Sequence, residues 1–353
     1  MAKVIVGMSG GVDSAVAALL LKTAGHDVIG VTLRTWIAGE GERNRCCELD
    51  DARDVADAIG IPYYVVNCLS EFEEKVTKPF ADSYLCGTTP NPCVECNRYV
   101  KWEGMMKFAQ VMKADLIATG HYASVVRKDN GRVTVRKAAH ADKDQTYMLY
   151  RLTQEQLRAT VMPLGELSKE EVRKIAASAG LPVASKPDSQ EICFIPDDDY
   201  GGYIERTYPR ELPPAGYFVD EAGNRLGIHR GIIHYTVGQR RGLHLSLGHP
   251  VYVKAIRPQT NEVVIAEDEA LYSDTVICER LNFLSIPGLP EGEKMRCKAK
   301  IRSRHEPKDA VIESAGQDRI RITFDEGVRA PAPGQSAVFY DGDDCVIGGG
   351  IIV

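Results

Sequence analysis

Hydrophobic and polar residues follow helical and strand-like periods in turn through the first 120 positions. Four short, mostly apolar runs predict the buried strands of a parallel sheet, at residues 4–8, 27–36, 63–67 and 115–119. Four patterns of helical period lie beside them and predict helices, at residues 14–24, 49–59, 72–85 and 99–112. Since strand and helix alternate, we predict an α/β fold with a doubly wound parallel sheet.

The pattern changes after residue 121. Residues 122–138 predict a hairpin that turns at Asp129-Asn130-Gly131, residues 167–179 predict a helix, and residues 182–200 predict loops. Beyond about residue 200 helical patterns fade, and short alternating segments predict strands at 234–238, 251–256, 262–267, 295–302, 319–324, 336–340 and 345–353. We therefore expect a catalytic domain over 1–200, a small β-rich domain over 201–275 and a β-barrel domain over 276–353.

Composition narrows the class of protein. The 353 residues are 44% hydrophobic and 26% charged, with a net charge of −6, which is ordinary for a globular protein of several domains. The first residues lack the pattern of a secretory signal, and the longest apolar run is too short to span a membrane. We expect a cytoplasmic protein with no membrane partner, whose ten cysteines are reduced, catalytic or metal-bound.

The sequence SGGVDS occupies residues 9–14, between the first predicted strand and the first predicted helix. Gly10 and Gly11 permit close backbone approach and positive φ, and the two serines add hydroxyl donors. Backbone N–H groups that converge at a helix N-terminus favour an anion. The pattern matches neither a Walker A loop nor a G-x-G-x-x-G fingerprint. It predicts a phosphate-binding loop in which Asp13 holds Mg²⁺ or orients the turn.

Positive charge is concentrated in two runs of this acidic chain. Residues 225–244 are rich in arginine and histidine, residues 296–305 are rich in lysine and arginine, and neither run contains an acidic residue. Together they predict a basic face that contacts nucleic-acid phosphates.

Cysteines stand in a C-x-x-C arrangement in NPCVECN, as Cys93 and Cys96, and a further cysteine, Cys193, lies in the apolar string ICFI. The spacing of Cys93 and Cys96 is compatible with a metal clamp, a redox pair or a nucleophile with an incidental neighbour. The residues alone leave these readings open.

Seven stretches of the chain resemble motifs of the bacterial-type tRNA-specific 2-thiouridylases, which belong to the ATP pyrophosphatase (PP-loop) superfamily. They occur in the family's order and extend over essentially the whole chain: GMSGGVDS (7–14), TPNPCVECN (89–97), ATGHYA (118–123), KDQTYML (143–149), DSQEICFI (188–195), YTVGQRRGL (235–243) and PGQSAVFY (333–340). The resemblance implies ATP-dependent 2-thiolation of a tRNA wobble uridine, with ATP and Mg²⁺ as cofactors.

The resemblance also assigns roles by position. Cys96 matches the nucleophile and Cys193 the carrier of a persulfide, with Asp13 as a further catalytic residue. The nucleotide contacts implied are Gly7, Met8, Ser9, Gly10, Gly11, Val12, Asp13, Ser14, Leu33 and Gly120. The tRNA contacts implied are Asn91, Pro92, Cys93, His121, Lys143, Asp144, Gln145, Arg304, His305 and Gln335.

The implied partners are the anticodon arm of tRNA and a sulfur donor such as a cysteine desulfurase or a sulfur-relay protein. The wobble base would be flipped into a cleft, as enzymes acting on bases require.

Cys93 departs from the family, because many members have aspartate there. It opens an alternative in which Cys93, Cys96 and Cys193 hold a [4Fe–4S] cluster, with zinc as a further option. Two other classes stay open: another ATP-dependent PP-loop ligase, and a non-catalytic RNA-binding or iron–sulfur sensing protein. Cys46 and Cys47 are read as a sulfur relay or as buried thiols.

Overall fold

The computed structural model of the protein describes residues 1–36, 49–188, 192–195, 197–209, 212–316 and 318–353. Cys46 and Cys47 lie outside the described residues. Within the described ranges, no helix has the length and apolar character needed to cross a membrane.

The first half of the chain is built on a parallel sheet. Its strands and those of an adjoining hairpin are β1 (Lys3–Gly7), β2 (Asp27–Arg34), β3 (Tyr63–Asn67), β4 (Leu116–Ala118), β5 (Ala123–Arg127), β6 (Val133–Lys137) and β7 (Thr160–Val161). The sheet has the order β3-β2-β1-β4-β7, and β5 pairs with β6 in the hairpin. Val4 and Val6 face one apolar core and Ile5 faces another, so both faces of the sheet are covered.

Helices pack on both faces of this sheet. The helices of the described residues are α1 (Val12–Thr23), α2 (Leu49–Ile59), α3 (Leu69–Phe72), α4 (Lys78–Leu85), α5 (Pro92–Cys96), α6 (Glu103–Met112), α7 (Gln154–Arg158), α8 (Lys169–Ser178) and α9 (Tyr200–Thr207). Short 3₁₀ turns occur at Ala141–Lys143, Thr146–Met148, Ile232–His234 and Asp268–Leu271.

Two π-helical segments each join a pair of these helices into one longer helix, and such segments are common at functional sites. Glu73–Thr77 joins α3 to α4, and Asn97–Trp102 joins α5 to α6. The helix predicted to begin at residue 99 therefore begins at Pro92, where proline suits the first helical turn and Asn91 caps it. As a result, Cys93 and Cys96 lie on the first turns of a long helix.

The second half of the chain is mainly strands. A four-stranded sheet, β10-β11-β8-β9, consists of β8 (Gly216–Val219), β9 (Arg225–His229), β10 (Tyr252–Arg257) and β11 (Glu262–Ala266). A closed antiparallel barrel, β12-β15-β14-β13-β16-β17, consists of β12 (Tyr272–Phe283), β13 (Lys294–Lys300), β14 (Lys308–Ser314), β15 (Arg319–Arg329), β16 (Ser336–Tyr340) and β17 (Val346–Ile352). The predicted fold class, a parallel α/β domain followed by β-rich domains ending in a barrel, is confirmed.

Two local predictions in this half are wrong. Residues 234–238 do not form a strand, because Gly231 and Gly238 both adopt positive φ, at 126° and 87°, and the first turn between them is 3₁₀. Helices also do not end at residue 200, since α9 begins at Tyr200.

The barrel is attached to the first half of the chain by the β5–β6 hairpin. The guanidinium of Arg132 donates to the carbonyl oxygens of Leu284 and Phe283, at 2.8 Å each. Lys137 Nζ lies 2.6 Å from Asp344 Oδ1. These contacts hold the barrel against the hairpin that follows β4 of the parallel sheet.

Candidate active site

The loop after β1 has the shape of an anion cradle. Gly10 adopts a positive φ of 73°, which favours glycine. The backbone N–H of Ser9 donates to Ser14 Oγ at 3.1 Å, and that hydroxyl donates to the Gly11 carbonyl at 3.0 Å. Because α1 begins at Val12, its first N–H groups are available beside this loop.

Gly120 allows a second backbone segment to pack against the loop. A Cβ at this position would lie 2.7 Å from both Asp13 C and Ser14 N. Those atoms are backbone, so no side-chain movement would relieve the clash. The loop is therefore supported from beneath by the segment that follows β4.

The carboxylate of Asp13 is held by two side chains. Lys169 Nζ lies 2.7 and 2.9 Å from its two oxygens, and the Tyr122 hydroxyl donates to it at 2.7 Å. Burial and the Asp13 carboxylate raise the pKa of Tyr122, so this phenol remains a donor. As placed, Asp13 orients the loop.

Asp188 is the centre of a second charge cluster. Its carboxylate lies 2.7 Å from Lys169 Nζ, 2.9 Å from Arg173 Nη2 and 3.2 Å from Lys143 Nζ. Partial burial opposes ionisation, but hydrogen bonds from Lys169 and Lys143 outweigh it and lower the pKa of Asp188. Lys169 thus belongs to both clusters.

Lys186 connects the loop to α2. Its Nζ donates to the carbonyl oxygen of Gly10 at 2.9 Å and to Asp51 Oδ2 at 2.6 Å. An ammonium group therefore lies against the backbone of the phosphate-binding loop.

The cysteines of NPCVECN differ in their surroundings. Cys96 ends α5 and is 5% exposed, whereas Cys93 is exposed and donates its backbone N–H to Asn91 Oδ1 at 3.1 Å. Asn97, directly after Cys96, donates to the carbonyl oxygen of Met148 at 3.0 Å. The turn is therefore fixed to the KDQTYML segment.

Cys193 lies half-buried beside an aromatic anchor. Its neighbour Phe194 is 2% exposed and packs edge-on against Phe72 and Phe80, with ring centroids 5.6 and 5.4 Å apart. This packing seats the segment that carries Cys193 on the α3–α4 helix.

One cavity of about 470 Å³ brings these parts together. Of the residues predicted for the nucleotide site, its walls include Gly7, Met8, Ser9, Gly11, Val12, Asp13, Ser14, Leu33 and Gly120. Of those predicted for sulfur transfer or tRNA, they include Pro92, Cys93, Cys96, His121, Lys143, Gln145 and Cys193. Gly10 shapes the loop from outside the cavity.

His121 enters the cavity as a neutral imidazole. Burial, and secondarily the Lys101 ammonium, lower the pKa of His121 to about 3. Its Nδ1 lies 2.9 Å from Thr119 Oγ1, and its ring lies 5.4 Å from that of Trp102. A neutral ring of this kind suits a base better than a phosphate.

Three residues predicted to contact tRNA have structural contacts instead of a place in the cavity wall. Asn91 caps α5, and Asp144 accepts hydrogen bonds from the Thr146 hydroxyl at 2.9 and 2.8 Å. Gln335 Nε2 donates to the carbonyl oxygens of Thr89 and Pro90, at 3.1 and 3.3 Å. Through Gln335, the barrel holds the loop that leads into α5.

Arg304 and His305 lie on the barrel, away from the cavity. Arg304 is exposed and His305 is half-buried. Burial and then the positive charges nearby lower the pKa of His305, and these charges come from Arg302, Lys300, Arg329 and Lys308. Positive charge is therefore concentrated around His305 on the barrel.

Sequence reasoning missed several polar groups of the cavity. Lys101, Tyr122, Lys169 and Lys186 line it, and Asp188 does so as the first residue of DSQEICFI. Lys186 stands two residues before that motif, which was a usable signal. Lys169 has no comparable signal in the sequence, because it begins an ordinary capped helix.

The fold and the site define a class of protein: an α/β domain with a phosphate-binding loop after its first strand, followed by β-rich domains that end in a barrel. The family models that match are described as tRNA methyl transferase HUP domain over residues 2–197, tRNA methyl transferase PRC-barrel domain over 203–267, and aminomethyltransferase beta-barrel domain over 273–352.

Relatives similar over their full length carry a more specific name. A tRNA-specific 2-thiouridylase MnmA of Lachnoclostridium phytofermentans is 52% identical, and the alignment covers 100% of each chain. Those of Acetivibrio thermocellus and Clostridioides difficile are 52% and 48% identical, covering 99% of this chain and 99% and 98% of theirs. The chain belongs to the tRNA-specific 2-thiouridylase family.

Among solved structures, one similar chain is the U34-tRNA thiolase NcsA from Methanococcus maripaludis with its [4Fe–4S] cluster. It is 19% identical, has a TM-score of 0.37, and the match covers 60% of this chain and 67% of that one. A likeness at this level carries no argument about the site.

Proposed function

We propose that this protein uses ATP to replace the 2-position oxygen of the wobble uridine in tRNA with sulfur. The observation that carries the proposal is the shared cavity, in which a phosphate-binding loop and the cysteines Cys93, Cys96 and Cys193 line one space. Adenylation of a carbonyl oxygen needs the loop, and sulfur delivery needs thiolates within reach of the same carbon.

Charge in the cavity suits a polyphosphate. Lys101, Lys143, Lys169 and Lys186 line it, against the carboxylates of Asp13 and Asp188 among the described residues. Mg²⁺ typically binds one or two carboxylates together with substrate phosphates, and the Asp13 carboxylate in the loop is the group that would hold it. Magnesium would neutralise charge on the phosphates as pyrophosphate leaves.

The proposed reaction has two stages. The uridine O2 attacks the α-phosphorus of ATP, and pyrophosphate departs. The terminal sulfur of a persulfide on Cys193 then attacks C2, and the C2–O2 bond breaks to release AMP. The Cys96 thiolate attacks the Cys193 sulfur, which leaves 2-thiouridine and a Cys96–Cys193 disulfide. The transferred sulfur is reduced and Cys96 is oxidised from thiolate to disulfide; an external thiol reductant then restores both cysteines to thiols.

A [4Fe–4S] cluster on Cys93, Cys96 and Cys193 is the alternative route for the same reaction. The three side chains line one cavity, but among the described residues no group of three or more His, Cys, Asp or Glu side chains converges as metal ligands. As placed, they do not fit a cluster or a zinc site. Iron and sulfide analysis of anaerobically purified protein tests this: activity that tracks cluster content would overturn the persulfide route.

The decisive experiment is mass analysis of tRNA nucleosides after incubation with ATP and a persulfide donor. We expect 2-thiouridine, and its absence would refute the proposal. A methylated uridine formed with a methyl donor would instead support the activity named in the family-model descriptions. The cavity favours thiolation, because methyl transfer needs no adenylating loop.

Cysteine variants divide the reaction. Cys96→Ser and Cys193→Ser should abolish 2-thiouridine while tRNA-dependent pyrophosphate release continues. Cys86→Ser is the matched control, since this exposed thiol is not among the residues that line the cavity. Under the persulfide route Cys93→Asp retains activity, whereas under the cluster route it loses it. If ATP-dependent activity is retained in both Cys96→Ser and Cys193→Ser, another PP-loop ligase, which needs no paired cysteines, would be favoured.

We assign the nucleotide domain to 1–200, the central domain to 201–275 and the tRNA-contacting barrel to 276–353. The persulfide would come from a cysteine desulfurase or a relay protein in the cytoplasm. Exposed Arg304 and the positive charge around His305 would hold the tRNA backbone while the wobble base enters the cavity.

A further inference from the structure

Lys169 is shared by two carboxylates from distant parts of the chain. Its Nζ lies 2.7 Å from Asp13 Oδ1 in the phosphate-binding loop and 2.7 Å from Asp188 Oδ1. Its side chain is 13% exposed, so the two ion pairs are shielded from solvent. One ammonium group therefore joins the loop to the start of the DSQEICFI segment.

Asp188 stands five positions before Cys193, and Phe194 directly follows that cysteine. Before the cysteine, Asp188 accepts from Lys169, Lys143 and Arg173. After it, Phe194 packs into the aromatic cluster of Phe72 and Phe80. The aromatic anchor faces the helix, and the charged anchor faces the phosphate-binding loop.

We propose that Lys169 and Asp188 are a positioning pair that ties the segment carrying Cys193 to the phosphate-binding loop, so that sulfur transfer is coupled to the nucleotide bound there. This inference rests on the proposed function. Neither residue is assigned a chemical step. Asp188 acts by holding the segment that carries Cys193 in place. Lys169 links that segment to the phosphate-binding loop.

The loss of the Asp188 charge should cause repulsion among its three cationic partners and displace the reacting atoms. Replacing Asp188 by Asn leaves Lys143, Lys169 and Arg173 close together without their shared carboxylate, and their mutual repulsion opposes the present geometry. A displacement of about 1 Å at a reacting atom can cost about a hundredfold in rate. Adenylation depends on the loop and its own contacts, so it should survive better than sulfur transfer.

The test measures 2-thiouridine formed per pyrophosphate released, in single turnover with tRNA and persulfide-loaded protein. Asp188→Asn should lower this ratio about tenfold, while the KM for ATP changes by less than about twofold. Asp188→Glu, which keeps the charge, should recover part of the ratio. Lys169→Met should lower both the ratio and the rate of pyrophosphate release, because it also releases Asp13.

A double-mutant cycle decides whether the two residues act together. If they form one tie, adding Asp188→Asn to Lys169→Met lowers the ratio by less than about twofold further. Independent, multiplying effects would overturn the inference, as would an unchanged ratio in Asp188→Asn. Equal losses of pyrophosphate release and thiolation in Asp188→Asn would also overturn it, since they indicate general damage to the site.

The matched control is Glu170→Gln on the same helix, α8. Glu170 pairs with Lys174 at 2.6 Å and its side chain is 76% exposed, so its loss should leave the ratio unchanged. Failure of the proposed function looks different: wild-type protein would then make no 2-thiouridine. Thermal unfolding of every variant shows whether each remains folded, and Asp188→Glu supplies the comparison if Asp188→Asn does not.

Discussion

The ion pair between Glu95 and Arg151 fixes the turn that carries Cys93 and Cys96, and its loss should be costly. Glu95 stands between the two cysteines, and its carboxylate accepts a hydrogen bond from Arg151 Nη1. The Arg151 side chain is 12% exposed and that of Glu95 25% exposed. Burial lowers the pKa of Arg151, but the Glu95 charge outweighs it, so the net shift is upward.

Glu95→Gln keeps the shape of the side chain and removes its charge. The guanidinium is then left largely buried, with Tyr99 OH 3.4 Å away as a neutral partner and with no partner for Nε among the described residues. Breaking a buried pair from one side costs about 3–5 kcal/mol. Because Glu95 is partly exposed, we expect a loss of about 2–3 kcal/mol in the free energy of unfolding.

Asp82→Asn is the matched control. Lys78 and Asp82 form an ion pair at 3.0 Å, but their side chains are 57% and 48% exposed. Exposed pairs contribute at most about 1 kcal/mol, so we expect a loss of about 0.5 kcal/mol or less. Adding Arg151→Met to Glu95→Gln should cost less than the sum of the two single changes, because no unpaired charge stays buried.

Urea unfolding followed by tryptophan fluorescence measures these changes in the relevant part of the molecule. The chain has two tryptophans, Trp36 and Trp102, and Trp102 is fully buried with its indole N–H donating to Thr160 at 2.8 Å. The signal therefore reports on the parallel-sheet half. If Glu95→Gln is no more destabilising than Asp82→Asn, burial of the Glu95–Arg151 pair does not increase the cost of removing one partner.

Three further predictions address the nucleotide site, the tRNA surface and pH. Gly120→Ala should raise the KM for ATP at least about tenfold by displacing the phosphate-binding loop, whereas Gly288→Ala, with open space at its Cβ, should leave it unchanged. Arg304→Ala should weaken tRNA binding and reduce the slope of log affinity against log salt by about one. Arg296→Ala should change tRNA binding little, because the Asp325 carboxylate already neutralises Arg296 through two hydrogen bonds. Equal slopes in the two variants would contradict this expectation. The pKa of His121 falls from 6.5 to about 3 on folding, so the unfolded chain binds the extra proton and stability falls as the pH drops below about 6.5. His121→Asn should remove up to about 2 kcal/mol of the stability that is lost between pH 6.5 and 4.5, as measured by urea unfolding.

The sequence predicted elements well where a single period dominates. The strands and helices of the parallel sheet follow from apolar runs and from glycines such as Gly25 and Gly60, and the hairpin follows from Asp129-Asn130-Gly131. It failed where backbone geometry departs from regular periods. The π-helical segment at Asn97–Trp102 breaks the helical pattern, so the helix was predicted to begin within it, at residue 99.

The candidate site was predictable as far as its residues are contiguous. SGGVDS and NPCVECN are short motifs whose members act together because they are neighbours in the chain. Lys169 belongs to the same cavity, yet it lies 156 positions from Asp13 and its only local feature is a helix start. Such residues come to the site through the fold, so no local pattern marks them.

The two cysteines of NPCVECN show how the structure separates what spacing leaves equal. Cys93 sits on the first turn of α5 and is exposed. Cys96 is one turn further, packed into the apolar core beside Val94 and Val100. Cys96 is therefore shielded from bulk solvent at the cavity wall, while Cys93 is open to an incoming base or partner. For that reason Cys96, and not Cys93, suits the thiol that closes a disulfide with Cys193 at the end of sulfur transfer.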